Sequence, residues 1–163
     1  MQRRLDPARL GDHLDRLYRA AWALSGRRED AEDLVQETYA RVLARPRLIR
    51  REDDLGYLLR TLRNTFLTQK RTESRRLRPD PLPDELEAVA DPRAVEPQTA
   101  VEAGEVYAAI ASLHDEYRDV LVAVDIAGLS YKEAARALRL HEGTVMSRLY
   151  RARRQVVRQV DGG

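Results

Sequence analysis

The chain has 163 residues, no cysteine, and 29 Lys+Arg against 27 Asp+Glu, for a net charge of +2. Lack of cysteine excludes disulfides, thiolate metal sites and cysteine nucleophiles. No apolar run approaches the roughly 20 residues of a membrane span, and the start MQRRLDPARL has no signal-peptide core. The expectation is a cytoplasmic protein without membrane insertion.

A first helix is predicted over 6–25, where Leu10, Leu14, Leu17, Tyr18, Ala21 and Trp22 recur at steps of three and four before Gly26. Trp22 is read as a core residue. A second helix over 30–44 takes Asp30 as its N-cap and buries Ala31, Leu34, Val35, Thr38, Val42 and Leu43. Its other face carries Glu32, Asp33, Gln36 and Glu37, an acidic patch that would repel DNA and so suits another partner. Pro46 then breaks the helix, and 45–54 is expected to be a polar loop.

The third helix, 54–75, turns Leu55, Leu58, Leu59, Leu62, Phe66 and Leu67 inward. This leaves Arg60, Arg63, Asn64, Lys70 and Arg71 as an outward basic rail. Arginines position a protein on phosphates, whereas an asparagine can hydrogen-bond a base edge. Residues 77–98 hold five prolines and many acids, including Asp80, Asp84, Glu85, Glu87 and Asp91. Such a stretch cannot bury enough apolar surface to offset its ordering entropy, and it is read as a flexible linker.

Beyond it, helices over 99–112 and 115–127 precede two shorter elements. Gly128 can close the preceding helix, and Ser130 with Glu133 forms a capping-box signature. The helix that follows stops near Arg139, and the next begins near Glu142, burying Val145, Leu149, Ala152 and Val156. Its opposite face presents Thr144, Ser147, Arg148, Arg151, Arg154 and Arg158. An apolar seam backed by hydroxyls and arginines fits a recognition helix in a DNA major groove. The fold class is therefore all-α: two small helical domains, 1–76 and 99–163, joined by a flexible linker at 77–98, the second a four-helix domain with a helix-turn-helix. Two basic segments flanking an acidic one suggest two polyanion-binding surfaces and a spacer.

Three blocks resemble the extracytoplasmic-function (ECF, group IV) sigma factors of the sigma-70 family. They are DAEDLVQETY at 30–39, Tyr57-Leu58-Leu59-Arg60 with Asn64 and Arg71, and GLSYKEAA with GTVMSRLYRAR at 128–135 and 143–153. The resemblance implies an alternative sigma factor that binds core RNA polymerase and directs promoter-specific initiation. Asp33, Gln36 and Glu37 would dock on the β′ clamp helices, and the β flap and an anti-sigma factor are implied as further partners. Arg60, Arg63, Asn64, Lys70 and Arg71 would contact the −10 element, where a base leaves the stack at a cost of a few kcal/mol. Thr144, Ser147, Arg148, Arg151 and Arg154 would read the −35 element.

Some positions depart from the family pattern. Tyr57 and Thr68 stand where tryptophan and aspartate are usual, and Arg139 and His141 where glycine and often proline sit at the bend. A left-handed bend would cost Arg139 about 1 kcal/mol relative to glycine. A one-component helix-turn-helix regulator acting without polymerase is the alternative reading. An enzyme is not expected, since His13, His114 and His141 lie far apart and neither a phosphate loop nor metal-ligand spacing occurs. No cofactor is implied.

Overall fold

The structure is a computed structural model that describes residues 2–45, 48–50, 53–76 and 97–162. The expected linker lies outside the described residues up to position 96.

Pro7–His13 forms a 3-10 turn, with Asp6 accepting from the Ala8 amide at its start, and leads into α1, Leu14–Ser25. The single helix expected over 6–25 is thus tightened in its first half, and Leu14, at the junction, is exposed. Gly26 ends α1 in the left-handed region with φ 78°, its amide donating to Trp22 O. A Cβ at Gly26 would lie 3.1 Å from that of Ala111, so a side chain here would also crowd the opposite half of the chain.

Helix α2 spans Arg28–Ala44 and begins earlier than expected. Asp30 falls inside the first turn, where its charge complements the helix dipole, and Arg27 occupies the cap without a side-chain bond. Ala31, Leu34, Val35, Thr38 and Val42 are buried as expected, whereas Leu43 is exposed beyond the edge of the core. The buried Thr38 hydroxyl donates to Leu34 O at 2.7 Å, the i−4 bond that satisfies a hydroxyl inside a helix.

The segment expected to be a loop includes β2, Leu48–Arg50, which pairs antiparallel with β1, Gln2–Arg4, in the register Arg3↔Ile49. This two-stranded ribbon was not expected; three residues are too few for alternation to signal a strand. Helix α3 follows over Asp54–Arg76 and buries Leu55, Leu58, Leu59, Leu62, Thr65 and Phe66.

The second half contains α4 (Pro97–Ala111), α5 (Asp115–Leu121), a π-helical turn (Val122–Ile126), α6 (Tyr131–Leu138) and α7 (Glu142–Asp161). Wide i→i+5 bonding, Ala127 N to Val122 O at 2.8 Å, ends the α5 run and is followed by Gly128 at φ 81°. Ser130 accepts from Glu133 N at 3.0 Å while Glu133 accepts from Ser130 N at 2.9 Å, completing the capping box.

The two halves are in contact. Helices α1 and α3 pack against α4, the π turn and α6, and the buried residues of both halves form one cluster from Leu5 to Ala152. Trp22 does not sit in the core of the first half alone. It is half-buried and stacks on Tyr107 of α4, ring centroids 4.2 Å apart, with Arg28 above it at 5.2 Å.

Candidate nucleic-acid interface

The bend between α6 and α7 is built on Arg139. Its φ and ψ of 57° and 48° are left-handed, and it is the one non-glycine residue with positive φ among those described. Leu140 N donates to Ala135 O at 2.9 Å and Arg139 N to Arg136 O at 3.4 Å. This is a Schellman closure of α6, and it turns the chain so that α7 starts at Glu142, three residues after Arg139. Val145, Leu149 and Ala152 then point into the second half's core with at most 1% exposure, and Val156 is half-buried.

Burial of that seam leaves the other face of α7 outward. Ser147, Arg151 and Arg154 are exposed, while Thr144 and Arg148 are half-buried. Ser147 donates to Thr144 O at 3.2 Å. Arg154 lies 5.6 Å from the centroid of the exposed Tyr150 ring, and Arg148 sits 3.8 Å from Glu116 of α5. Arg153, outside this stripe, grips both carboxylate oxygens of Asp125 at 2.8 and 2.7 Å. That bond raises its pKa above the usual arginine value and ties α7 to the π turn.

The basic rail of α3 is divided. Asn64 and Arg71 are exposed, and the exposed Lys70 stands 5.0 Å from the Phe66 ring centroid. Arg60 and Arg63 point instead into the second half. Arg60 Nε donates to Ala137 O and its Nη2 to Arg136 O, both at 2.8 Å, and Arg63 pairs with Asp119 of α5. Burial, then the nearby Arg139 charge, lower the Arg60 pKa from its usual value. Asn64, Arg60, Tyr57 and Arg139 all line a cleft of about 520 Å³.

Asp33, Gln36 and Glu37 are all exposed on one face of α2, as expected. Glu37 is paired with Arg41 at 3.1 Å. Asp33 and Glu37 also line a cleft of about 450 Å³ between α2 and α3, opposite Lys70 and Glu73.

Residues that sequence reasoning missed lie where the halves meet. Arg118 is 1% exposed, bonded to Asp115 at 3.0 Å and Asp119 at 3.3 Å, and its guanidinium lies 5.0 Å from the Phe66 centroid. Arg136 donates to Asp53 at 2.8 Å. Arg136 and Asp53 lie 83 positions apart, so no local periodic signal marks that pair.

A capped helix-turn-helix with an arginine-bearing recognition face, a second basic helix and a separate acidic face define a helical transcription-type DNA-binding protein. The description "Sigma-70 region 2" matches residues 10–76, and "Sigma-70, region 4" matches 103–156. The chain is 35% identical over 136 residues to ECF RNA polymerase sigma factor EcfG of Rhodopseudomonas palustris, covering 82% of this chain and 72% of that protein. It is 38% identical over 148 residues to ECF RNA polymerase sigma factor SigE of Mycolicibacterium smegmatis, covering 88% of this chain and 57% of SigE, so it spans little more than half of that relative. Among solved structures, the sigma factor RpoE in complex with the anti-sigma factor NepR from Bartonella quintana is similar, with a TM-score of 0.74 and 26% identity over 94% of this chain and 95% of that one. CnrH, solved with the cytosolic domain of CnrY, shares the fold with a TM-score of 0.64 at 22% identity over 94% of this chain and 85% of that one. The chain belongs to the ECF RNA polymerase sigma factors.

Proposed function

We propose that the chain acts as an alternative sigma factor in two working units, 1–76 and 99–163, joined through 77–98. The first unit docks on the β′ clamp helices of core RNA polymerase through Asp33, Gln36 and Glu37, and engages the −10 element through Arg60, Arg63, Asn64, Lys70 and Arg71. The second reads the −35 element through Thr144, Ser147, Arg148, Arg151 and Arg154 and rests on the β flap. It works by binding rather than catalysis, at the nucleoid in the cytoplasm. An anti-sigma factor is its expected regulator; the similar RpoE was solved in complex with the anti-sigma factor NepR.

One observation carries this reading: a hydroxyl-and-arginine recognition face and a separate exposed acidic face occur on one chain. The acidic face has no use in a protein that binds DNA alone, since it repels phosphate. Run-off transcription on genomic fragments with purified core polymerase tests the proposal. Promoter-specific transcripts that require the chain are expected. Tight promoter binding without polymerase, and no stimulation with it, would favour the one-component regulator instead.

A further inference from the structure

The arginines on the outward face of α7 are not held alike. Arg154 lies against the Tyr150 ring, and Arg151 is exposed. Among the described residues, Arg148 is the one arginine of that stripe set against a carboxylate. Its Nη2 stands 3.8 Å from Oε2 of Glu116, in the first turn of α5. Asp115 and Asp119 of the same helix are committed to the buried Arg118, whereas Glu116 faces α7. Both members of the pair belong to the second half, where α5 packs on α7, so the pair does not depend on how the halves meet.

As a structural tie this pair is weak. The Glu116 side chain is 51% exposed, and exposed ion pairs contribute little to stability. At 3.8 Å the approach is too long for a hydrogen bond, so it consumes none of the five guanidinium donors. The geometry suits another use: a fixed negative charge that directs the guanidinium and leaves its donors for a different acceptor. Arg148 is also half-buried and lines, with Leu138 and Leu140 of the bend, a cleft of about 230 Å³ beside α5. It has fewer directions in which to swing than the exposed Arg151 and Arg154.

An arginine free to swing settles on phosphate oxygens, which fix register but carry no sequence. Bidentate contact with guanine O6 and N7 needs the planar fork aimed at a base edge. A carboxylate beside the fork favours the aimed position, and its charge disfavours a turn toward phosphate. We propose that Glu116 is a positioning residue for base readout, which aims Arg148 at a guanine and so sets the sequence preference at one base pair. The proposal rests on the assignment of α7 to DNA.

The test uses the full chain with core polymerase and a randomised pool of duplex DNA. Sequences bound by the parent, Glu116→Gln, Arg148→Ala and the double variant are compared with those bound by core polymerase alone. Arg148→Ala should lose the preference for guanine at one position, by about fivefold or more. Glu116→Gln should lose the same preference at the same position, keep the others, and unfold at the parent's Tm. The double variant should show no further loss, because the two residues act as one unit.

A preference that Glu116→Gln retains overturns the proposal, as does a loss spread evenly over all positions, which marks a plain change in charge. A further loss in the double variant, or an Arg148→Ala pattern with no position flattened, overturns it as well. Failure of the underlying assignment looks different. The parent then enriches no sequence above core polymerase alone, and the DNA-reading role of α7 falls together with this proposal.

Discussion

Replacing Arg139 by glycine should stabilise the protein. Arg139 holds φ 57° and ψ 48°, a conformation that costs an L-residue roughly 1–2 kcal/mol relative to glycine. It is kept there because two bonds close α6 through it, Leu140 N to Ala135 O and Arg139 N to Arg136 O. Glycine would relieve the strain but widen the unfolded ensemble, a loss of about 0.4–1 kcal/mol. The net gain expected is therefore about 0.5–1 kcal/mol. Loss of the Arg139 charge near Arg60 adds in the same direction, since that charge contributes to lowering the Arg60 pKa, after burial. For a chain of this size 1 kcal/mol moves Tm by about 2–4 °C. Denaturant unfolding with an unchanged m-value, alongside calorimetry, measures it. The control is Arg139→Ala, which removes the charge and keeps the left-handed strain. An Arg139→Gly variant less stable than the parent, or an Arg139→Ala variant as stable as Arg139→Gly, would refute the strain argument.

Three further outcomes are expected. Asp33→Ala should weaken binding to core polymerase in a fluorescence titration while leaving thermal unfolding within about 0.5 kcal/mol, because the side chain is exposed; equal core affinity would remove α2 from the docking face. Arg151→Ala and Arg154→Ala should each cost about 1–3 kcal/mol at a −35 sequence if they read base edges, whereas a loss uniform across sequences with a shallower salt slope would reassign them to phosphates. Burial raises the pKa of Tyr107 above 10.0, so its contribution is complete below that pH and disappears as pH climbs through the elevated folded value. Tyr107→Phe should accordingly flatten the alkaline loss of stability, and an unchanged slope in the variant would exclude Tyr107 as a cause.

The helices and their buried faces were legible because each is a local, periodic pattern. The Ser130–Glu133 box, the α7 seam and the acidic face of α2 all stand where spacing placed them. Local reasoning erred where a local rule had a competitor. Asp30 has the chemistry of a cap, but the helix begins at Arg28, so its carboxylate serves the first turn instead. Leu43 fits the helical period yet lies past the edge of the core. The larger omission is the contact between halves. Arg60 and Arg63 follow the spacing of an outward face, and nothing near them in sequence announces Ala137 or Asp119. Arg118 and Asp119 are buried charges, and a pattern of apolar positions passes over them.

The chemistry of that contact decides what opening it would cost. Removing one partner from a buried ion pair is strongly destabilising when the other is left uncompensated. Here no ion is stranded by opening. Asp119 keeps Arg118, and Arg118 keeps Asp115, both within the second half. Arg63, Arg136 and Asp53 already reach water, with side chains 34%, 36% and 21% exposed. The α6 carbonyls that lose Arg60 end a helix whose cap residue is exposed, so water can replace the guanidinium. What resists opening is the apolar part: the Trp22–Tyr107 stack and the close approach of Gly26 to Ala111 and of Gly56 to Ala137. Salt should therefore loosen the polar contacts without separating the halves by itself, because screening leaves apolar burial in place. Complete release calls for a partner that binds the open form better than the closed one, and the difference in affinity sets how far the equilibrium moves.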